Sequence, residues 1–582
     1  MSAAEPDLPP YSPERILSAD FAEQAKLACR MWAIQIAPNS MAVMGMYWAK
    51  YIFLFVGGWA FWVSFGADYP GFGAVGQWAL QPDAFQKAIV WALMYESLGF
   101  GCSSGPMNAR FNPPMGGFLY WLRPGTTKLS LVRSWPLLGG VKRTWFDIAL
   151  YVALQASFVH VLIAPEVSPS LLLPPLLLIP LLGLADKVIF LAARSEHYWV
   201  ALVCLTLAHG VGPSPEDLGW VAACQVVWCF IWFWAATSKI NHMFPSVIMV
   251  MMNNGPFFPR WLKRKLFKQY PTDLRPSRVA ASMAHFGTAT EYMIPVLLLT
   301  SDGGIQTVVA LLIMTVFHGY IGINNPSGMP IEWNIVMIFG GWFLFGAHPD
   351  VSVTSVLAMP VLAAFLFFWL VLVPTFGNFF PKHVSFLLAM RYYAGNWAYN
   401  IWFMRKPTDT TPAAEDKLQK LTCSSGSMRE QLSAILPDET SVDVAMAMST
   451  SARFLHMEGK PLLEALPRAF DDIEEYEWWE SEVLAGQTLG WNFGDGHLGN
   501  ENLLSALQEQ CEWEEGEVVC VMVESQPLFG RKMKWRIVDA AAGLIEEGET
   551  DISALKDETP YPDGAYAEAL RRGRRSPAPA AG

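Results

Sequence analysis

Ten apolar runs crowd the first two thirds of this chain and constrain its fold more than any motif does. They fall near 41 to 65, 85 to 102, 144 to 164, 169 to 186, 188 to 209, 219 to 238, 280 to 300, 305 to 325, 331 to 347 and 354 to 374. About 20 apolar residues in a helix cross the roughly 30 Å hydrocarbon core of a bilayer, so the runs predict an all-α polytopic membrane bundle of about ten transmembrane helices. The composition fits that class: 53% of the 582 residues are hydrophobic, with 25 Trp and 36 Phe. The weakest runs are the second, interrupted by Glu96, and the fifth, broken by Arg194, Glu196 and His197. Each is a candidate for a re-entrant or interfacial segment.

Charge in the connections gives an orientation. One set of loops carries Arg110, Arg123, Lys128, Arg133, Lys142 and Arg143, and then Arg260, Lys263, Arg264, Lys265, Lys268, Arg275 and Arg278, whereas APEVSPS, GVGPSPEDL, TSDGG and AHPDVSV carry no Lys or Arg. By the positive-inside rule the basic loops and both termini are cytoplasmic, which in a bacterial cell places the chain in the inner (plasma) membrane. The N-terminus, MSAAEPDLPPYSPER, lacks the basic and then apolar pattern of a cleaved leader, so the first run reads as a retained span. Residues 12 to 36 are expected to form a helix along the cytoplasmic interface.

The expected organisation is an N-terminal cytoplasmic or interfacial segment (1–40), the transmembrane domain (41–374), an aromatic interfacial segment (375–405), an acidic soluble α+β domain (406–570) and a disordered tail (571–582). In the aromatic segment Tyr392, Tyr393, Trp397, Tyr399 and Trp402 suit the headgroup region. In the soluble domain SVDVAMAMSTSARFLHM and ENLLSALQEQCEW read as helices, EVVCVMVES and KMKWRIV as strands before a turn at Ala542-Gly543, and DDIEEYEWWE as a solvated helix face. After Met404 the chain holds 33 acids and 17 bases, so the formal net charge of −12 belongs to this part. That balance excludes a nucleic-acid surface there and leaves the acidic domain as the place for a soluble protein partner.

An ionisable side chain inside a span is costly and calls for a reason. Lys239 closes WCFIWFWAATSKINHMFP and is followed by Asn241 and His242; a lysine at a span end ordinarily snorkels to the interface, whereas one held in an apolar pocket can act as a base. Glu291 and His285 share one run, His318 interrupts the next, Asn324 and Asn325 follow it, and Glu332 and Asn334 open the ninth. Each histidine alone reads as a core imidazole with one hydrogen bond. Their occurrence in consecutive runs predicts one polar pocket, lined by Lys239, Asn241, His242, His285, Glu291, His318, Asn324 and Asn334. The ten histidines never occur as H-x-x-x-H, and no metal site is expected. GWNFGDGHLGN, with Asp495 and His497, reads as a structural turn, with docking to the membrane domain as the alternative.

The segments PPMGGFLYWLRPGTTKL, RTWFDIALY, ARSEHYWVALVC, WFWAATSKINHMFP, PIEWNIV, SFLLAMRYYAGNWAY and LGWNFGDGHL resemble those of a family of uncharacterised bacterial transmembrane proteins. A second likeness lies in the middle. WAATSKINHMFP, AHFGTATEYMIPVLLL and LIMTVFHGYIGINNPSGMPIEWNIVM resemble the membrane domain of vitamin K-dependent gamma-carboxylase and its bacterial relatives, the HTTM family. That resemblance implies Lys239 as a general base towards a reduced quinone or similar lipid, with Glu291 and His318 as catalytic pocket residues and Asn241, His242, His285, Asn324 and Asn334 around the cofactor. The readings left open are a lipid-linked membrane enzyme, a non-catalytic lipid-binding or transport protein, and a membrane scaffold.

Overall fold

The structure is a computed structural model that describes residues 12–35, 45, 47–101, 117–209, 218–255, 257–323, 330–392, 396, 398–421, 429, 433, 436–451, 454, 459–491, 496–553, 561 and 563–575. Two short helices come first, α1 (Pro13–Leu17) and α2 (Phe21–Gln35). The apolar runs, with one further helix between the sixth and seventh (α9), then fold as α3 (a π-helical Lys50–Val56 continued by Gly57–Val63), α4 (Pro82–Ser97), α5 (Trp145–Leu162), α6 (Pro169–Ala185), α7 (Tyr198–Leu207), α8 (Gly219–Ser238), α9 (Phe244–Asn254), α10 (Arg278–Leu299), α11 (Ile305–Gly322), α12 (Ile331–Gly341) and α13 (Pro360–Phe379). A two-stranded ribbon, β1 (Phe267–Gln269) with β2 (Asp273–Pro276), fills the basic connection before α10.

Among the described residues four helices, α5, α8, α11 and α13, are long and apolar enough to cross a bilayer, fewer than the ten runs. The reasons are local. The fifth run breaks at Arg194, whose φ is 53°, and divides into a six-residue helix (Lys187–Ala192) and the ten residues of α7. The second folds into the 16-residue α4, which carries Asp83, Lys87 and Glu96, and the ninth passes from α12 into a π-turn at Trp342–Ala347. The run from 280 to 300 forms a 22-residue helix that includes Arg278 and Glu291. Where the runs are uniform the helices match: α8 ends at Ser238, and α5 begins at a capping box in which Thr144 and Asp147 satisfy each other's backbone N–H groups. Large apolar side chains stand outward on the bundle, with Phe53, Trp145, Ile305 and Val361 each more than 70% exposed, as expected of a surface solvated by lipid.

The C-terminal part is a five-stranded antiparallel sheet in the order β4-β3-β5-β6-β7, built from β3 (Tyr399–Arg405), β4 (Tyr476–Glu480), β5 (Val518–Val523), β6 (Lys532–Asp539) and β7 (Gly543–Asp551). Helices α14 (Glu439–Ser451), α15 (Gly459–Ala469), α16 (Ser481–Leu489), α17 (Glu501–Cys511) and α18 (Gly564–Arg572) pack around it. Two expectations change here. Residues 399–405, read as interfacial, form a strand paired on both edges and buried along six of its seven residues, because YNIWFMR supplies apolar side chains to both faces of the sheet. The acid-rich YEWWE forms the edge strand beside it, from Tyr476↔Arg405 to Glu480↔Ile401, in place of a helix face.

The N-terminal helix lies against protein. Phe21 packs 4.6 Å from the Trp478 ring, Lys26 pairs with Asp563 at 3.0 Å, and Asp20 pairs with Arg571 at 2.7 Å. The basic connection after α4 touches the same domain: Trp121 Nε1 donates to the Leu489 carbonyl at 3.0 Å, the Tyr120 hydroxyl donates to the Thr488 carbonyl, and Arg133 reaches Ser505 and Asn502 at 2.8 and 2.7 Å. Of the GWNFGDGHLGN segment, residues 492–495, Asp495 included, lie outside the described residues. Gly490 closes α16 in the left-handed conformation, and Gly496 lies so close to Ala398 that a Cβ would stand 2.2 Å from its carbonyl oxygen.

Candidate functional site: an apolar pocket with one ion pair

Four helices enclose a cavity of about 600 Å³. Its walls are almost wholly apolar, drawn from α8, α9, α10 and α11, with Trp333, Asn334 and Tyr392 closing the inner end. Phe286 and Val316, 75% and 71% exposed, stand at its rim on α10 and α11. The cavity therefore opens sideways, through the apolar surface of the bundle.

Lys239 caps the C-terminus of α8, where the chain turns and continues as the short helix α9. Its side chain is 8% exposed and does not snorkel; the ammonium donates to Glu291 Oε2, on α10, and lies 5.3 Å from the Phe317 ring centroid and 5.9 Å from that of Phe244. Glu291 stands thirteen residues after Arg278, about 20 Å along the helix. A pair at that depth loses the hydration of both charges, and only the mutual contact offsets the loss. The turn that presents Lys239 is held by Asn241, whose Nδ2 donates to the Ser238 carbonyl at 2.9 Å while its Oδ1 accepts from the Met243 N–H at 2.9 Å. From the C-terminal domain, Gln526 Oε1 accepts the His242 N–H at 3.2 Å.

His318 is fully enclosed between two fixed partners. Trp232 Nε1 donates to its Nε2 at 3.0 Å, and its Nδ1 lies 2.8 Å from Asn334 Oδ1. An indole N–H can only donate, so Nε2 is the acceptor and Nδ1 carries the proton. Asn334 is oriented by the Pro330 carbonyl, which accepts from its Nδ2 at 2.8 Å. The imidazole is thus a hydrogen-bonded wall element behind the pocket, with neither nitrogen directed into it.

Of the eight residues expected to meet in one pocket, Lys239, Glu291 and Asn334 line it and His318 backs it. Asn241 holds the Lys239 turn by its side chain, and His242 contributes through its backbone while its side chain is exposed. His285 is exposed, on a face of α10 away from the ion pair, and Asn324 lies outside the described residues. Tyr392, which its aromatic neighbourhood in the sequence assigned to the headgroup belt, is a lining residue.

A bundle with an apolar exposed surface, a laterally open pocket and a mixed α/β domain at its C-terminal end defines a helical transmembrane protein. The chain belongs to the family described as transmembrane proteins of unknown function (DUF3556), whose sequence profile matches residues 1–569. No curated protein and no solved structure matches it.

Proposed function

We propose that this protein is a membrane enzyme that binds a lipid-soluble, quinone-like substrate in the pocket and uses Lys239 as a general base, with Glu291 as its acid–base partner. The observation that carries the reading is a single Lys–Glu pair in the wall of an otherwise apolar, laterally open cavity. A polyprenyl or acyl tail suits the lining, and entry through the rim at Phe286 and Val316 needs no passage through water. A neutral pair of charges favours a hydroxylated headgroup over an anionic one, since a phosphate would have to displace Glu291. In a site of low polarity the ionised pair and its neutral form lie closer in energy than in water, so a substrate hydroxyl can give its proton to Lys239 once the lysine has passed its own to Glu291. The resemblance of the 234–337 region to the HTTM and gamma-carboxylase membrane domain supports the same role for Lys239, with a reduced quinone as the cofactor and His318 as a supporting catalytic residue.

The topology that goes with this reading has ten crossings of the inner membrane of a bacterial cell, with both termini cytoplasmic and the membrane domain followed by the acidic domain on the cytoplasmic side. Its support is that α2 and the basic connection after α4 each touch the C-terminal domain. A protein partner would dock on that acidic domain.

The test is mass spectrometry of lipids from membranes carrying the wild type or Lys239→Met, with insertion and melting checked. A redox lipid altered by the wild type alone supports the enzyme; equal alteration by both removes Lys239 from the mechanism. A lipid retained and left unmodified by both favours the second reading, a lipid-binding or transport protein, which the lateral opening also accommodates.

A further inference from the structure

The connection between β5 and β6 is a hairpin that leaves the sheet and reaches the bundle. At its base the Glu524 N–H donates to the Lys534 carbonyl at 2.8 Å. Gln526 is then held from several sides. Its N–H donates to Asn396 Oδ1 at 2.7 Å and its carbonyl accepts from Asn396 Nδ2 at 2.9 Å, while its own Nε2 donates to the Gly530 carbonyl at 2.9 Å and its Oε1 accepts the His242 N–H. One residue before the tip, the Leu528 N–H donates to the Asn378 carbonyl at 2.8 Å. Asn378 is itself oriented, its Nδ2 donating to the Pro374 and Ala389 carbonyls at 2.8 and 2.9 Å. The hairpin is therefore set at a fixed height against the last turn of α13.

Phe529 forms the tip. The Gly530 N–H closes a turn onto the Pro527 carbonyl at 2.8 Å, which puts Phe529 at the third position of the turn with a φ of 59°. A positive φ at that position ordinarily calls for Gly or Asn, and a bulky side chain is strained there. Phe529 is also 70% exposed. In a domain surrounded by water the choice is unfavourable twice, in backbone conformation and in apolar area left in contact with water. An apolar phase outside the tip reverses the second of these.

The position of the tip supplies that phase. α13 is one of the four helices long and apolar enough to cross a bilayer, and its end presents Phe376, Phe379 and Phe380, which are 48, 43 and 55% exposed. A hairpin bonded to Asn378 continues this lipid-facing aromatic surface at the end of the span. The charges fit the same surroundings. Arg531, Lys532 and Lys534 follow the tip as exposed bases in an otherwise acidic domain, and Lys382, just after α13, is exposed as well. Lys532 and Lys534 share Glu549 at 3.3 and 3.7 Å, but their side chains stay 63 and 68% exposed, so these contacts are weak. An aromatic side chain with bases behind it suits the boundary between acyl chains and headgroups.

We propose that the β5–β6 hairpin dips into the membrane, with Phe529 among the acyl chains beside the end of α13 and Arg531, Lys532 and Lys534 facing the anionic headgroups of a phospholipid leaflet. The inference is independent of the role given to Lys239. The same hairpin holds the His242 backbone, three residues after Lys239, so the leaflet surface and the Lys239 turn are fixed to one element.

Photo-crosslinking tests it in the full-length protein, with p-benzoylphenylalanine placed at Phe529 or, as the control, at Leu544. Leu544 is 57% exposed and pairs with Val538, six residues along β6 from Lys532 and so about 20 Å away. Irradiation in nanodiscs of phosphatidylcholine and phosphatidylglycerol, followed by mass spectrometry, is expected to give phospholipid adducts at residue 529, enriched in phosphatidylglycerol, and none at residue 544. Absence of a lipid adduct at residue 529 overturns the proposal, as does a crosslink from residue 529 to protein in its place, which would mark the tip as a protein-docking surface. Equal lipid adducts at both positions overturn it too.

Discussion

Lys239 and Glu291, 52 residues apart, meet as a buried ion pair in the wall of an apolar pocket. Neither charge has another ionic partner among the salt bridges of the described residues, so each depends on the other. Removing one partner leaves a buried charge uncompensated, which costs roughly 3 to 5 kcal/mol, whereas replacing both by apolar groups is close to neutral. Lys239→Met and Glu291→Leu are therefore each expected to lower the melting temperature in detergent, and the double variant to recover most of the loss. Additive losses would show that the two do not interact. The double variant also serves as the folded, inactive control for the lipid experiment.

Docking of the C-terminal domain rests on Trp121, which is fully buried and donates to the Leu489 carbonyl at 3.0 Å. Trp121→Ala removes a large side chain and leaves that carbonyl without its donor, a change of about 3 to 5 kcal/mol. Limited proteolysis is expected to release the C-terminal domain faster from this variant, with the bundle itself still protected.

In the C-terminal domain His497 Nε2 lies 3.0 Å from Glu524 Oε1. Burial alone would raise the Glu524 carboxyl, but the charge and hydrogen bond of His497, the Ser525 N–H and the Arg391 guanidinium together hold it at about 2, below its ordinary 4.5. A carboxyl depressed in this way contributes stability that is complete above pH 4.5 and is lost as pH falls towards 2. The size is about 3 kcal/mol. Melting followed between about pH 5 and about pH 2 is expected to fall more steeply in the wild type than in Glu524→Gln. Parallel curves would remove Glu524 from the acid response.

Helices α8 and α12 approach closely at Gly340, where a Cβ would stand 2.4 Å from Trp228 Cζ2. Trp228 is fully enclosed and cannot yield without moving its neighbours. Gly340→Ala is expected to cost about 1 to 3 kcal/mol by overpacking, and Gly340→Ala with Trp228→Phe to regain part of it. Gly319→Ala, where a Cβ meets nothing within 4 Å, is the control and is expected to leave melting unchanged.

What the sequence made legible follows from how local each signal is. Uniform apolar runs such as 219 to 238 became single helices with nearly the expected ends, and the strands at Val518–Val523 and Lys532–Asp539 with the turn at Gly543 came from short strand-like runs and a glycine. The run holding Arg194 divides into two short helices, whereas the run holding Glu96 keeps one 16-residue helix that carries the acid near its end; Arg194 is held by Glu196 two residues on, an arrangement that apolar periodicity does not reveal. The strand at Tyr399–Arg405 was read as interfacial because its aromatic composition suits a headgroup belt and a sheet interior equally well. Lys239 and Glu291 were visible as ionisable residues in apolar runs, but their pairing and the distance of His285 from them depend on how α8 and α10 face each other.

The central claim is that the pocket between α8, α9, α10 and α11 holds a lipid-soluble molecule. Gly287 lines it, and a Cβ there meets only Phe317, at 4.0 Å, so Gly287→Trp can fill the cavity without disturbing the backbone. Mass spectrometry of lipids retained after mild-detergent purification is expected to find a specific lipid bound to the wild type and absent from Gly287→Trp at equal melting temperature. The same lipid retained equally by both would contradict the account.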